Sequence, residues 1–225
     1  MNHSDYCRQF VRAGGSVLDV GSGRGRFLLE MAGFGLHVFG VEPSTEYLEA
    51  ARALARARAV TVSFSHSGGE RLPFSDASFD FVNCSEVTEH TNDPRAVCRE
   101  IFRVLKRRGR AYISFHNRFG VYDYHYHLWV INWMPRVWAD ALLSVLGKQK
   151  KDSPQIGRQK LSSMHYYTFS EVRSLLSSLG LSVRDIRENK IYSRFGRSAP
   201  VLLLVYRAFL RPLYFNTFHL LVQKL

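Results

Sequence analysis

Residues 17–25 read V-L-D-V-G-S-G-R-G, a β-rich run that ends in Gly21, Gly23 and Gly25, and Phe27, Leu28 and Met31 then fall at helical spacing. A strand that turns through glycines into a helix lets backbone approach a bound molecule closely, because glycine has no Cβ. A dinucleotide site would need G-x-G-x-x-G. Here the third glycine comes one residue early, with Arg26 after it, and no Walker pattern follows, so a pyrophosphate on the helix terminus is disfavoured. Asp19 puts a carboxylate at the strand end. Glu42 closes a second apolar run, 37–41, about twenty residues on, where one carboxylate can accept from both hydroxyls of a ribose. The turn therefore predicts an adenosine ligand without a pyrophosphate.

The remaining pattern alternates strands with helices. Strands are expected at 60–65, 79–84, 111–115, 181–186 and 216–222, and Arg107-Arg108-Gly109 reads as a helix end. Ser44 and Asp93 are placed as helix caps, Pro94 as a first-turn residue, and Thr168-x-x-Glu171 as a capping box. This order predicts one α/β domain over 1–225, a doubly wound, mostly parallel seven-stranded sheet whose ligands lie beyond the carboxyl ends of its strands. Residues 117–165 form an aromatic-rich insertion between strands five and six that holds all three tryptophans, at 129, 133 and 138. Trp129 and Trp133, at helical spacing, are expected in its core, or in a lid over a substrate.

Three cysteines, Cys7, Cys84 and Cys98, are too few and too scattered for a disulfide framework or a zinc site, and the first ten residues lack an apolar signal core. A cytoplasmic setting is expected. Of the net charge of +12, residues 1–134 carry 16 basic and 14 acidic side chains (+2), and 135–225 carry 15 and 5 (+10). The basic part could meet nucleic acid, anionic lipid headgroups or an acidic substrate. Residues 198–214 are apolar but interrupted by Arg207 and Arg211, too short to span a bilayer; they read as a core helix or as an interfacial helix peripheral to the membrane.

With these residues in view, the sequence resembles the class I S-adenosylmethionine-dependent methyltransferases. V-L-D-V-G-S-G-R-G looks like their first motif. L-P-F-S-D-A-S-F-D at 72–80 resembles a stretch of the small-molecule branch that includes quinone methyltransferases, and C-S-E-V-T-E-H at 84–90 resembles the segment after strand four. The resemblance covers 17–116 well and 166–190 loosely. It implies a Rossmann-like methyltransferase fold and S-adenosylmethionine as cofactor. It also implies that Gly21, Ser22, Gly23 and Gly25 line the methionine part, Asp19 holds the ammonium and Glu42 takes the ribose. Pro43, Gly69 and Glu70 would border the adenine, and Cys84 and Ser85 would give backbone contacts beside the sulfonium. One departure is Gly68, where the family usually has an acidic residue for the adenine amino group.

Methyl transfer from a sulfonium expels a neutral leaving group, so alignment and exclusion of water supply much of the catalysis. A phenol or alcohol acceptor also needs a base. His90 and His116 are the catalytic candidates, with Glu89 nearby, while a structural hydrogen bond is the plainer role for His116 and a surface or cap role for Glu86 and Glu89. His125 and His127 in Y-D-Y-H-Y-H (122–127) could be read as a metal pair but lack a third ligand nearby, so no metal is expected and the segment reads as a half-buried strand or a lid. The expected partner is a small-molecule or lipid-linked acceptor, with an anionic membrane surface as a second partner. Two alternatives stay open: an RNA methyltransferase, against which N-C-S-E at 83–86 lacks the Pro-Pro-aromatic motif of amino-group enzymes, and a non-catalytic membrane- or partner-binding protein on the same fold.

Overall fold

A computed structural model describes residues 2–148, 150–151 and 158–225. Residues 149 and 152–157 of the expected insertion lie outside the described residues. The central sheet is built from β1 (Ser16–Val20), β2 (His37–Glu42), β3 (Ser63–His66), β4 (Phe79–Cys84), β5 (Leu105–Asn117), β6 (Leu181–Asp185) and β7 (Thr217–Lys224). Their spatial order is β6-β7-β5-β4-β1-β2-β3, with a two-residue strand, Tyr166–Tyr167, alongside β5. All pairs are parallel except those of β7, which runs antiparallel between β5 and β6. This is the doubly wound, mostly parallel sheet the sequence predicts.

Helices cover both faces: α1 (His3–Arg8), α2 (Arg26–Ala32), α3 (Thr45–Ala57), α4 (Pro94–Val104), α5 (Arg136–Val145), α6 (Phe169–Ser178), α7 (Ile186–Phe195) and α8 (Ala199–Val205). Successive strand residues point to opposite sides of a sheet, so a strand buried on both faces feeds two cores. Leu18, Val82 and Ile113 join α4 and α6 in one core, while their neighbours Val17, Phe81 and Tyr112 join Cys7, Leu28 and Met31 in the other. Ser44 caps α3, Asp93 caps α4 with Pro94 in the first turn, and Thr168 and Glu171 form the reciprocal box at α6.

Four expectations are corrected. β3 begins at Ser63, three residues later than expected. Arg107-Arg108-Gly109 does not end a helix: α4 stops at Val104 and β5 begins at Leu105, with Arg108 in left-handed backbone (φ 63°) at a register shift against β4. The tryptophans are not insertion core. Tyr126, Ile131, Ala139, Leu143, Leu161 and Met164 fill that core, while Trp129, Trp133 and Trp138 are exposed on a short hairpin strand, a 3-10 turn and α5. Nor is 198–214 a core helix. It is α8 continued by a π-helical segment, Tyr206–Tyr214, with only Ala199, Leu203 and Tyr206 buried; Pro212 has no amide to donate there, and Phe215 N reaches back five residues to Leu210 O at 3.0 Å. Among the described residues, no helix is long and apolar enough to cross a membrane.

Candidate active site

The parallel register aligns the carboxyl ends of β1, β2 and β4, pairing Val20 with both Val41 and Cys84 and Asp19 with Asn83. Chain leaving these strands must turn on one edge. Gly21, Gly23 and Gly25 all adopt left-handed backbone there, with φ of 70°, 50° and 74°. A Cβ at Gly21 would stand 2.5 Å from Val87 Cγ2, and one at Gly25 3.1 Å from the Phe64 ring, whereas one at Gly23 would meet nothing within 4 Å. Two glycines therefore let the turn pack, and the third faces open space.

Around that space the polar groups are buried. Asp19 accepts 2.7 Å from Asn83 Nδ2. Burial pushes its carboxyl up to about 7, against the Asn83 hydrogen bond and with the Glu42 charge adding to the rise. Glu42 accepts from Gly23 N at 2.8 Å and Ser44 N at 2.9 Å, tying the turn to the end of β2. The buried Ser22 hydroxyl has no hydrogen-bond partner. On the rim, exposed Pro43 accepts through its carbonyl from His66 at 2.8 Å. Gly69 is buried, where a Cβ would meet Val20 Cγ1 at 2.9 Å. Glu70 accepts from Asn92 N at 3.0 Å, and its Oε2 lies 2.8 Å from where a Cβ on Gly68 would stand. The carboxylate of Glu70 thus reaches the place where an acidic side chain at 68 would begin. Cys84 is fully buried at the end of β4, its thiol held protonated by burial, and Ser85 is half-buried in the loop beyond.

A second cluster lies on the other side of the loop that leaves β4. Val87 packs on Gly21, and its neighbour Glu86 faces a cavity of about 690 Å³ together with His116, Tyr122, Trp129, Arg187 and His219. One short loop thus separates the glycine turn from this cavity. Glu86 sits in left-handed backbone (φ 57°), an unfavourable conformation for a side chain with a Cβ, and its amide donates to Ser114 Oγ at 2.7 Å. His116, at the end of β5 and 1% exposed, donates to Glu86 Oε2 at 2.9 Å and lies 3.1 Å from Glu89 Oε1. Burial alone would lower its basicity, but the two glutamates outweigh it and push the imidazole up to about 10. Partial burial opposes ionisation of Glu86, yet the hydrogen bond and charge of His116 hold it down at about 2. At neutral pH the pair is imidazolium and carboxylate, so His116 alone is a poor proton acceptor.

His90 is closer to solvent, its Nε2 3.5 Å from Glu89 Oε1 and its ring edge-on to His125. The surface or cap role expected for Glu89 is corrected, since it is fully buried among histidines. His125, paired with His127 on sequence grounds, separates from it. The strand covers only Tyr122–Asp123, the turn after it swings His125 inward, and His127 takes left-handed backbone away from the cluster. Arg187 and His219 were missed. They arrive on α7 and β7, and no motif near either marks them.

Comparisons with known proteins bear on the fold that carries these residues. Residues 18–113 match the family model described as a methyltransferase domain. An uncharacterized methyltransferase, YcgJ, of Bacillus subtilis is 37% identical over 106 residues, 47% of this chain and 42% of that protein. A ubiquinone biosynthesis O-methyltransferase of Paraburkholderia phytofirmans is 36% identical over 107 residues, 47% of this chain and 46% of that protein. The chain therefore spans less than half the length of these curated relatives. The solved structure of an S-adenosylmethionine-dependent methyltransferase from Methanosarcina mazei superimposes with a TM-score of 0.64 at 22% identity, covering 100% of this chain and 98% of that one.

Proposed function

We propose that this chain, a class I S-adenosylmethionine-dependent methyltransferase by sequence match and by fold, transfers the methyl group of that cofactor to a small or lipid-linked acceptor. The residues fit the cofactor on their own chemistry. A ligand carrying an ammonium, a sulfonium and a ribose diol suits two buried carboxylates, an unpartnered buried hydroxyl on Ser22 and the open face of Gly23. When bound, the sulfonium supplies an electrophilic methyl and leaves as a neutral thioether.

In this reading Asp19 holds the ammonium, and Glu42 uses the lone pairs its two backbone amides leave over to accept from the ribose hydroxyls. Glu70, folded over Gly68, accepts from the adenine amino group. The acceptor enters the cavity behind Glu86 and His116. Imidazolium at His116 can anchor an acceptor oxygen that carries negative charge, and in this reading His90, nearer solvent beside Glu89, is the base for a hydroxyl. The ubiquinone O-methyltransferase relatives favour a hydroxylated aromatic acceptor.

The observation that carries this reading is the loop 85–90, which packs Val87 against the glycine turn and turns Glu86 into the cavity. Calorimetric titration with S-adenosylmethionine tests it. Binding is expected in the micromolar range, and to weaken at least about tenfold, or ~1.4 kcal/mol, in both Asp19→Ala and Glu42→Ala. Undiminished affinity in both folded variants would remove the assignment.

A second reading concerns where the acceptor comes from. Val201, Leu204 and Phe209 on α8 and the π-helical segment are 63–70% exposed, while Arg207 and Arg211 on the same stretch are tied to Glu188. Next to the cavity-lining Tyr214 and within the +10 part of the chain, this surface suits peripheral attachment to an anionic membrane.

A further inference from the structure

We propose that Glu86, Glu89, His116 and His125 form a binding site for a divalent transition-metal cation of the zinc, manganese or ferrous-iron class, set in the floor of the acceptor cavity. Four ligand atoms, one from each side chain, lie within 4.8 Å of one another. Ligands at about 2.1 Å from a shared cation stand about 3.4 Å apart in a tetrahedral site and at most about 4.2 Å apart across the metal, so the widest pair must close by about 0.6–1.4 Å. The donor set, two imidazoles and two carboxylates, suits cations of borderline softness rather than magnesium or calcium.

The independent sign is Glu89. It is completely buried, and neither of its oxygens accepts a hydrogen bond, although Oε1 lies 3.1 Å from His116 Nε2 and 3.9 Å from His125 Nε2. The charge on His116 faces this carboxylate, but no hydrogen bond satisfies its buried oxygens, which is costly, and a metal cation taking the place of the His116 proton would satisfy them directly.

The His125 ring is also held from behind, as metal-ligating histidines are: its Nδ1 is 3.3 Å from Tyr166 Oη, whose own proton goes to Asp123 at 2.9 Å, so the ring Nδ1–H can donate to the tyrosine oxygen. Asp123, fully buried, also fixes the turn that carries His125 by accepting from the amides of His125 and Tyr126. Nε2 of His125 thereby lies 3.9 Å from Glu89 Oε1, while Nε2 of His116 stands between Glu86 at 2.9 Å and Glu89 at 3.1 Å. Ser114 braces Glu86 through its hydroxyl at 3.2 Å. Metal binding releases the proton that His116 Nε2 shares with Glu86, and because both residues line the cavity the cation then takes over from the imidazolium in facing an oxygen of the acceptor.

The site is separate from the residues assigned to S-adenosylmethionine, so the two readings fail separately. Full-length protein is stripped with a chelator and titrated with cobalt(II), followed by its visible d–d absorption, and with zinc(II) by calorimetry. The same samples are titrated with S-adenosylmethionine. The expected result is binding of one equivalent of either cation, with affinity lower by at least about tenfold in Glu89→Gln and in His125→Ala. His127→Ala, on the same turn but facing away, is expected to bind like the parent. Absence of cobalt bands in protein that still binds S-adenosylmethionine, or equal affinity in parent, Glu89→Gln and His125→Ala, would overturn the proposal.

Discussion

At the residue scale, Asp19 carries the most chemistry per atom. Its folded-state pKa of about 7 lies above the usual carboxylate value, so the folded chain keeps a proton that the unfolded chain releases. Its contribution to stability is therefore fully present below about pH 4 and is lost as pH rises towards 7. An ammonium ligand reverses the preference by favouring the ionised form. Affinity for S-adenosylmethionine is expected to rise between about pH 6 and 8, with proton release at pH 6 that calorimetry in buffers of different ionisation heat would detect. Glu70 gives a second expectation. Glu70→Ala should weaken cofactor binding about tenfold and Gly68→Asp in that background should restore it, with affinities compared by titration; failure of the rescue would return the adenine contact to backbone. Asp19 and Glu42 were legible because each stands at a strand end at a set distance from the glycines. Glu70 was named beside Gly69 at the adenine edge, but its reach back over Gly68 was not legible, since it depends on a side chain folding back two residues.

The element scale is governed by the turn after β1 and the loop after β4. Gly21→Ala would drive a methyl into Val87 on backbone that disfavours any Cβ, and should cost about 2–4 kcal/mol in urea denaturation. Gly23→Ala carries a similar backbone penalty without a clash, so it should fold more stably than Gly21→Ala while still losing cofactor affinity, as its methyl enters the open space. Equal effects of the two on stability would show that packing on Val87 does not matter. Most strands and caps were readable from periodicity and from Ser, Thr, Asp and Pro at helix starts. β5 was foreshortened because Arg107-Arg108-Gly109 looks like a cationic helix end, whereas the backbone enters the sheet directly and absorbs the irregularity at Arg108. The tryptophans misled for a related reason. Spacing of four suggests a helix face, but Val130 in left-handed backbone breaks the run between Trp129 and Trp133.

Across the whole molecule, charge and apolar exposure fall in the later part of the chain. Co-sedimentation should show binding to anionic vesicles, little to zwitterionic ones, and a marked loss in Leu204→Glu with Phe209→Glu; equal pelleting of parent and double variant would remove the membrane reading. The cluster around Glu89 was also a whole-molecule fact. Glu86 and Glu89 were visible after strand four, but His125 joins them from a turn braced by Asp123 and Tyr166, and sequence distance concealed that meeting. β7 has a consequence for how the protein comes into being. It lies in the interior of the sheet although it follows every other described element, pairing Thr217 with His116 and bringing His219 to the cavity wall. On the ribosome the half that carries the glycine turn, made from residues before 105, can take shape first. The cavity lacks a wall until β7 has emerged and slid between its two neighbours, so on the proposed reading the nascent chain could take up its cofactor before it could meet an acceptor.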